Sequence, residues 1–239
     1  MHTPRAVLFD AYGTLFNVHS VVQAADSLFP GQGERLSMLW RDKQIEYTRL
    51  VTMSTLAGAA PDALYRPFWD ITRAGLRFAA ARLGLALDAA AEARLMNQYL
   101  MLEAYPESLA VLQALQQRRV ATGILSNGDP TMLAAAVRSA GFEDLLQHQI
   151  SVHAVRRFKT DPAAYALGPQ ALGMPARDIL FVSSNAWDAL GATWFGYTTL
   201  WVNRTGAPRE ELDPPPTHIG SSLADVLSLF LSSPPSPTL

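Results

Sequence analysis

The stretch Ala6-Val7-Leu8-Phe9-Asp10-Ala11-Tyr12-Gly13-Thr14-Leu15-Phe16 decides the fold. Ala6 to Phe9 has no polar side chain, as expected of a strand buried on both faces of a parallel sheet. Asp10 is the first charge after it, and Gly13 then allows a sharp turn that most residues resist. In open α/β sheets, ligands bind beyond the carboxyl ends of the strands, so Asp10 is placed to meet one. As a mere cap of the following turn it would carry no chemistry. The rest of the chain separates these two readings.

Working outward, the pattern turns helical after Phe16. Val18, Val21, Val22, Ala25 and Leu28 form one apolar face, ended by Pro30-Gly31. A second helix is predicted from about Gly33 to Thr52, with Arg41, Lys43 and Arg49 in it. Thr52 to Pro61 reads as an Ala/Gly/Ser-rich loop. Helical spacing resumes over Asp62–Leu83, Asp88–Leu102 and Glu107–Arg118, with acidic residues at the last two starts, where the helix dipole favours them. The strand signal returns only at Val120–Leu125, so nearly everything from Phe16 to Tyr105 is helical and inserted after the first strand.

From there the chain alternates. Helices are predicted at Pro130–Ser139, Pro162–Leu172 and Ala186–Phe195, and strands at Gln149–Val152, Asp178–Val182 and Thr198–Val202. This alternation implies an α/β protein with a parallel, doubly wound sheet. The expected division is a core at 1–15 and 104–232, a helical cap domain at 16–103 and a disordered tail at 233–239. Pro214-Pro215-Pro216 is a rigid loop, and Ser221–Leu231 is the last expected helix.

Composition narrows the function. The 239 residues carry 19 basic and 21 acidic side chains, a formal net charge of −2, without the basic excess of a nucleic-acid binder. The 49% hydrophobic content suits a soluble domain with a substantial core. There is no cysteine, which removes disulfides, thiol catalysis and Cys-type zinc sites. The five histidines are scattered without metal-ligand spacing. No apolar run is long enough for a membrane span, and a cytoplasmic location is expected.

Four strand ends present polar residues at one sheet edge: Asp10, Ser126-Asn127-Gly128, Lys159, and Ser183-Ser184-Asn185-Ala186-Trp187-Asp188. Asp10 is a candidate nucleophile of the carboxylate class, whose attack on carbon gives an ester that water must cleave. Lys159 can hold Asp10 ionised and oriented. The backbone N–H groups after Ser126, at a helix start marked by Asp129-Pro130, can receive a substrate carboxylate. The hydroxyls of Ser126 and Thr14 add hydrogen bonds, and Arg41 supplies a permanent positive charge.

These motifs resemble those of the haloacid dehalogenase superfamily and, within it, the L-2-haloacid dehalogenases. The matching residues are Phe9–Leu15, Ile124–Gly128, Phe158-Lys159, Phe181–Asp188, Arg41, Gln44, Glu46 and Tyr47, and Val202–Gly206 after the last strand. The resemblance implies a Rossmann-like core and hydrolysis of (S)-2-haloalkanoic acids to (R)-2-hydroxyalkanoic acids plus halide. It further implies that Asn127 and Trp187 complete a halide cradle with Arg41. Asp188 is expected to help activate water, with Ser183 and Asn185 fixing its geometry and that of Lys159. Tyr12 and Tyr165 are expected to line the substrate pocket. No cofactor or metal is expected, the only partners being a small 2-haloacid and halide, and the resemblance suggests a homodimer.

Magnesium-dependent phosphatases of the superfamily use a second aspartate two residues after the nucleophile. Here that position is Tyr12, and Ser183-Ser184-Asn185 stands where further acidic ligands would be. Alternatives are a hydrolase of a related 2-substituted acid of the azetidine-2-carboxylate type, a small-metabolite phosphatase, or a non-catalytic binding protein. The intact Asp10, Lys159 and Asp188 set argues against the last. Thr160 stands where the family usually has proline, and Val51–Arg66 is a longer cap segment than is typical.

Overall fold

Strand β1 (Ala6–Phe9) is fully buried and paired on both sides. Phe9 lies opposite Ile124 of β2 (Ala121–Ser126) and Val182 of β4 (Ile179–Ser183). The computed structural model describes residues 3–54, 57–60 and 62–230; the expected tail at 233–239 and Leu231 lie outside the described residues. With β3 (His148–Ser151), β5 (Thr198–Val202) and β6 (His218–Gly220), the strands form one parallel sheet in the order β3-β2-β1-β4-β5-β6.

That order contains the functional geometry. The chain builds outward from β1 through β2 to β3, then crosses back to lay β4 on the other side of β1. The switch point between β1 and β4 leaves a crevice beyond their carboxyl ends, where α/β sheets bind ligands. Asp10 is the first residue past β1, still tied in by its N–H donating to the Val182 carbonyl at 2.9 Å.

Between β1 and β2 come α1 (Val21–Leu28), α2 (Gly33–Met53), α3 (Phe68–Arg82) and α4 (Ala89–Gln98). Leu36 and Trp40 of α2, Ile71, Leu76 and Ala79 of α3, and Leu95 and Met96 of α4 are all buried in one apolar cluster. The chain enters and leaves this layer side by side: Asn17 N–H donates to the Glu103 carbonyl at 2.8 Å and Tyr105 N–H to the Leu15 carbonyl at 2.9 Å. Helices α5 (Ser108–Gln117), α6 (Pro130–Ser139), α7 (Pro162–Leu172) and α8 (Ala186–Phe195) alternate with the strands. Both α6 and α7 open on proline, with the preceding aspartate accepting from the first turn.

The structure departs from the expected elements in several places, among them the helix expected over Asp88–Leu102, which ends at Gln98. The helix expected from Asp62 begins only at Phe68, because Pro67 is extended (ψ 150°) and cannot continue a helix from its N-terminal side. Strand β6 was not anticipated: it has three residues, with one apolar side chain between His218 and Gly220. The helix expected over Ser221–Leu231 shrinks to the single turn α9 (Asp225–Ser228). There the Asp225 carboxylate accepts from the Ser221 and Ser222 N–H groups at 2.8 and 3.1 Å, folding the preceding residues around itself. Among the described residues no helix is long and apolar enough to cross a membrane.

Candidate active site

Asp10 sits at the bottom of the crevice with its side chain 8% exposed. Three groups hold it. Thr14 Oγ1 donates to Oδ2 at 3.0 Å, Asn185 Nδ2 donates to Oδ2 at 2.9 Å, and Lys159 Nζ donates to Oδ1 at 3.1 Å. Gly13, at φ +94°, turns the chain so that Thr14 faces back toward Asp10. The Thr14 hydroxyl has one proton, used on Asp10, and its oxygen accepts from Ser184 N–H at 2.9 Å. The loop after β1 is thereby stitched to the loop after β4.

Lys159 is fully buried, and its ammonium bridges two carboxylates: Asp10, and Asp188 Oδ2 at 2.9 Å. Its backbone N–H donates to Asn127 Oδ1 at 2.9 Å, which fixes the loop after β3 against the loop after β2. Burial alone would lower the Lys159 pKa; the facing carboxylates outweigh it and hold the pKa above the ordinary lysine value. Asp188 responds in the opposite sense. Burial raises its pKa to about 6, against the lowering effect of Lys159, and the charge of Asp10 adds to the rise.

Tyr165 lies behind Asp188. Its hydroxyl donates to Asp188 Oδ1 at 2.8 Å, and its ring packs on Phe181, Phe195 and Tyr197. Gly191 of α8 makes this approach possible, since a Cβ there would stand 2.6 Å from the Tyr165 hydroxyl. The expectation that Tyr165 lines the substrate pocket is therefore corrected: it is fully buried and serves Asp188 from the protein side. Asn185 is corrected in part: its backbone carbonyl accepts from Asp188 N–H at 3.0 Å, but its side chain is turned elsewhere. Its side chain holds Asp10, the Tyr12 carbonyl and Arg41 rather than Asp188 and Lys159. The buried Ser183 hydroxyl accepts from Asn185 N–H at 3.1 Å and so steadies that residue.

The roof comes from α2. Arg41 Nη2 donates to the Tyr12 carbonyl at 3.0 Å and to Asn185 Oδ1 at 3.3 Å, bringing the guanidinium over the Asp10 loop. Arg41 also borders an open groove of about 530 Å³ with His19, Val22, Glu34, Met38 and Asp42. Tyr12 packs its ring on Phe68 and Tyr99, and its buried hydroxyl has no hydrogen-bond partner among the described residues. Trp187 lies at the seam with α2, where Arg49 approaches its ring at 5.4 Å.

The helix start after β2 is more occupied than the sequence suggests. Ser126 Oγ accepts from Gly128 N–H at 3.1 Å. Asp129 accepts from Met132 N–H and also from Trp69 N–H of α3, both at 3.1 Å. The Gly128 and Met132 N–H groups are thus used within the turn, while the Ser126 hydroxyl still has its own proton to give to a substrate. After β5, Arg204 donates to the Thr14 carbonyl at 3.1 Å, pairs with Glu107 and covers the Tyr105 ring.

A divalent cation fits this arrangement poorly. The two carboxylates it would need already share the Lys159 ammonium, and among the described residues no group of three or more His, Asp or Glu side chains is arranged to hold a metal ion. What the geometry does provide is a carboxylate nucleophile, a second carboxylate of raised pKa beside it, and a cation overhead.

Comparison with known proteins agrees. A family model described as haloacid dehalogenase-like hydrolase matches residues 4–196. The chain belongs to this family. It stands on the L-2-haloacid dehalogenase branch: an (S)-2-haloacid dehalogenase of Pseudomonas sp. strain YL is 44% identical over 95% of this chain and 94% of that one. The crystal structure of the L-2-haloacid dehalogenase RSc1362 superposes with a TM-score of 0.91 at 54% identity, covering 97% of this chain and 100% of that one. The L-2-haloacid dehalogenase of Xanthobacter autotrophicus with chloropropionic acid covalently bound gives 0.86 at 35% identity, covering 97% and 100%.

For this dehalogenase-family chain, the sequence singled out the residues at strand ends and missed those acting through them. Gln44, Thr72 and Arg204 had no assigned role. Gln44 carried a usable signal: it lies three residues after Arg41 on a predicted helix, where side chains meet. Thr72 carried none.

Proposed function

We propose that this protein hydrolyses (S)-2-haloalkanoic acids to (R)-2-hydroxyalkanoic acids and halide through an ester on Asp10. The observation that carries this reading is the Lys159 ammonium held between Asp10 and Asp188, at 3.1 and 2.9 Å, in a family whose relatives bear that activity in name. Thr14, Asn185 and Lys159 orient the Asp10 carboxylate for in-line attack on the halogen-bearing carbon. The C–O bond forms as the carbon–halogen bond breaks, with inversion. The halide takes the electron pair and is received by Arg41, with Asn127 and Trp187 as the further members of its cradle.

Asp188 then takes a proton from water, and the hydroxide attacks the ester carbonyl carbon of Asp10. As the ester opens, Asp188 passes its proton to the departing oxygen, the 2-hydroxy acid leaves with the oxygen that Asp10 had contributed, and Asp10 keeps the oxygen from water and gives up the second proton to solvent. The Ser126 hydroxyl and Tyr12 receive the substrate carboxylate side. The covalent chloropropionic adduct of the Xanthobacter autotrophicus relative supports the ester route. The test is a single turnover in oxygen-labelled water. The label is expected in Asp10 first and in product only on later turnovers; label entering the first product directly overturns the ester.

The same reading takes the inserted helices at 16–103 as a cap domain on the core formed by 1–15 and 104–232. It also takes the enzyme as a cytoplasmic homodimer. Light scattering on the eluted protein tests the dimer.

A further inference from the structure

The proposed reaction gives Arg41 the leaving halide but says nothing of what holds Arg41. The answer lies in the packed interior of the inserted helices. Gln44 is fully buried one turn along α2 from Arg41. Its Oε1 accepts from Arg41 Nη1 at 2.6 Å, and its Nε2 donates to Thr72 Oγ1 of α3 at 2.7 Å. Thr72 Oγ1 in turn donates to the Phe68 carbonyl at 2.7 Å.

The order of donors along this line is forced. A carbonyl only accepts, so the single Thr72 hydroxyl proton must go to Phe68. Thr72 Oγ1 is then left only with lone pairs, and whatever faces it must donate. The Gln44 NH₂ therefore faces Thr72 and its carbonyl faces Arg41. Arginine has donors alone, so this is the one amide orientation that satisfies both ends. A flipped amide would set oxygen against oxygen at Thr72 and nitrogen against nitrogen at Arg41. Thr72 is itself anchored, since Trp40 Nε1 donates to its backbone carbonyl at 2.7 Å.

Taking the halide role of Arg41 from the function proposed above, we infer that Gln44 and Thr72 are positioning residues that aim Arg41 at the leaving group. The described hydrogen bonds use three of its five N–H groups, on Gln44, Tyr12 and Asn185, and leave two for an anion. Without the Gln44 carbonyl the guanidinium keeps its charge and its Nη2 contacts with Tyr12 and Asn185 but is no longer held at Nη1, so its plane can turn. Halide departure then suffers, while hydrolysis of the Asp10 ester with Asp188 as base does not.

The experiment compares Thr72→Val, Thr72→Ser and Gln44→Met, in wild-type and Arg41→Lys backgrounds, using bromide as the probe. Two readouts are taken: bromide as product inhibitor of 2-chloropropionate turnover, and the bromide-dependent rise in Tm. Thr72→Val is expected to weaken bromide binding about tenfold by both readouts, Thr72→Ser to restore it, and single-turnover ester hydrolysis to stay unchanged. In the Arg41→Lys background, Thr72→Val is expected to add nothing further. If Thr72→Val fails to fold, Gln44→Met takes its place with the same expected outcome. Equal effects in both backgrounds, failure of serine to rescue, or unchanged bromide binding overturns the relay. A wild type that binds bromide but releases no halide, with Thr72→Val still weakening the binding, sinks the proposed reaction and leaves the relay standing. A wild type that binds no bromide at all sinks the relay.

Discussion

The floor of the site and its roof follow opposite plans. The floor joins three distant chain segments by direct charge contact, Lys159 to Asp10 and to Asp188, all of it buried. The roof is one cation on one helix, Arg41, half-buried and steadied by neutral oxygens of Gln44, Tyr12 and Asn185. Removing one partner from a buried ion set leaves an uncompensated charge, at a cost of about 3–5 kcal/mol. A partly hydrated guanidinium carries no such obligation. Stranding a charge in the floor should therefore cost fold and chemistry together, and damage to the roof should cost halide and substrate handling while sparing the fold.

Two floor substitutions test this most severely. Asp10→Ala is expected to lower halide release by roughly 10⁴-fold or more, the scale of losing a covalent nucleophile, as measured by halide-sensitive titration. It leaves Lys159 with Asp188, so the folded state should survive. Lys159→Met is expected to act on both properties. It strands two carboxylates in a site shielded from water, and denaturant unfolding should register a loss of about 3–5 kcal/mol. Adding Asp188→Asn should recover part of that loss by removing one stranded charge. A Lys159→Met protein of wild-type stability would erase the distinction between floor and roof.

The floor was legible in the sequence in unequal measure: Asp10 and Asp188 come soon after the apolar strands β1 and β4, whereas β3, the strand before Lys159, is His-Gln-Ile-Ser, so Lys159 was read from its place in the order of strands and motifs. A sheet edge collects such residues whatever the details. The charge of Arg41 was legible, but its place over the site rested on resemblance, since a charged residue on a long helix usually faces water. Thr72 was not legible at all. Its contact with Gln44 spans 28 residues and depends on how α3 crosses α2. Tyr165 could face the pocket or the sheet from the same helix, and the close approach allowed by Gly191 decided it. Strand β6 was too short to show a period.

The roof is tested by Arg41→Lys. An ammonium cannot reach Gln44, the Tyr12 carbonyl and Asn185 together, and it loses the fork geometry. Losing charge-assisted hydrogen bonds worth about 1.5–3 kcal/mol should lower kcat/KM for 2-chloropropionate by roughly ten- to a hundredfold, seen in initial-rate kinetics. The unfolding free energy should move by less than about 1 kcal/mol. A stability loss as large as that of Lys159→Met would mean that the roof too is an obligatory ion set.

The smallest change, Tyr165→Phe, separates the two regions by pH alone. Asp188 must be ionised to take a proton from water, and its pKa already lies at about 6 because burial disfavours the charge. The Tyr165 hydroxyl donates to that carboxylate and so opposes the rise. Removing the donor costs the ionised form more than the neutral one, so the pKa must climb further, by about one unit for a lost hydrogen bond to a charge. The acid limb of the ester-hydrolysis rate should move up in pH by that amount. The rate should fall about fivefold near pH 6, approach a tenfold loss only at lower pH, and stay close to wild type near pH 9, where Asp188 is ionised in both proteins. Substitutions at Arg41, Gln44 or Thr72 should leave this limb where it is, because none of them touches Asp188. A limb that shifts with the roof residues, or that stays fixed in Tyr165→Phe, would show that the base for ester hydrolysis is not Asp188 as the floor presents it.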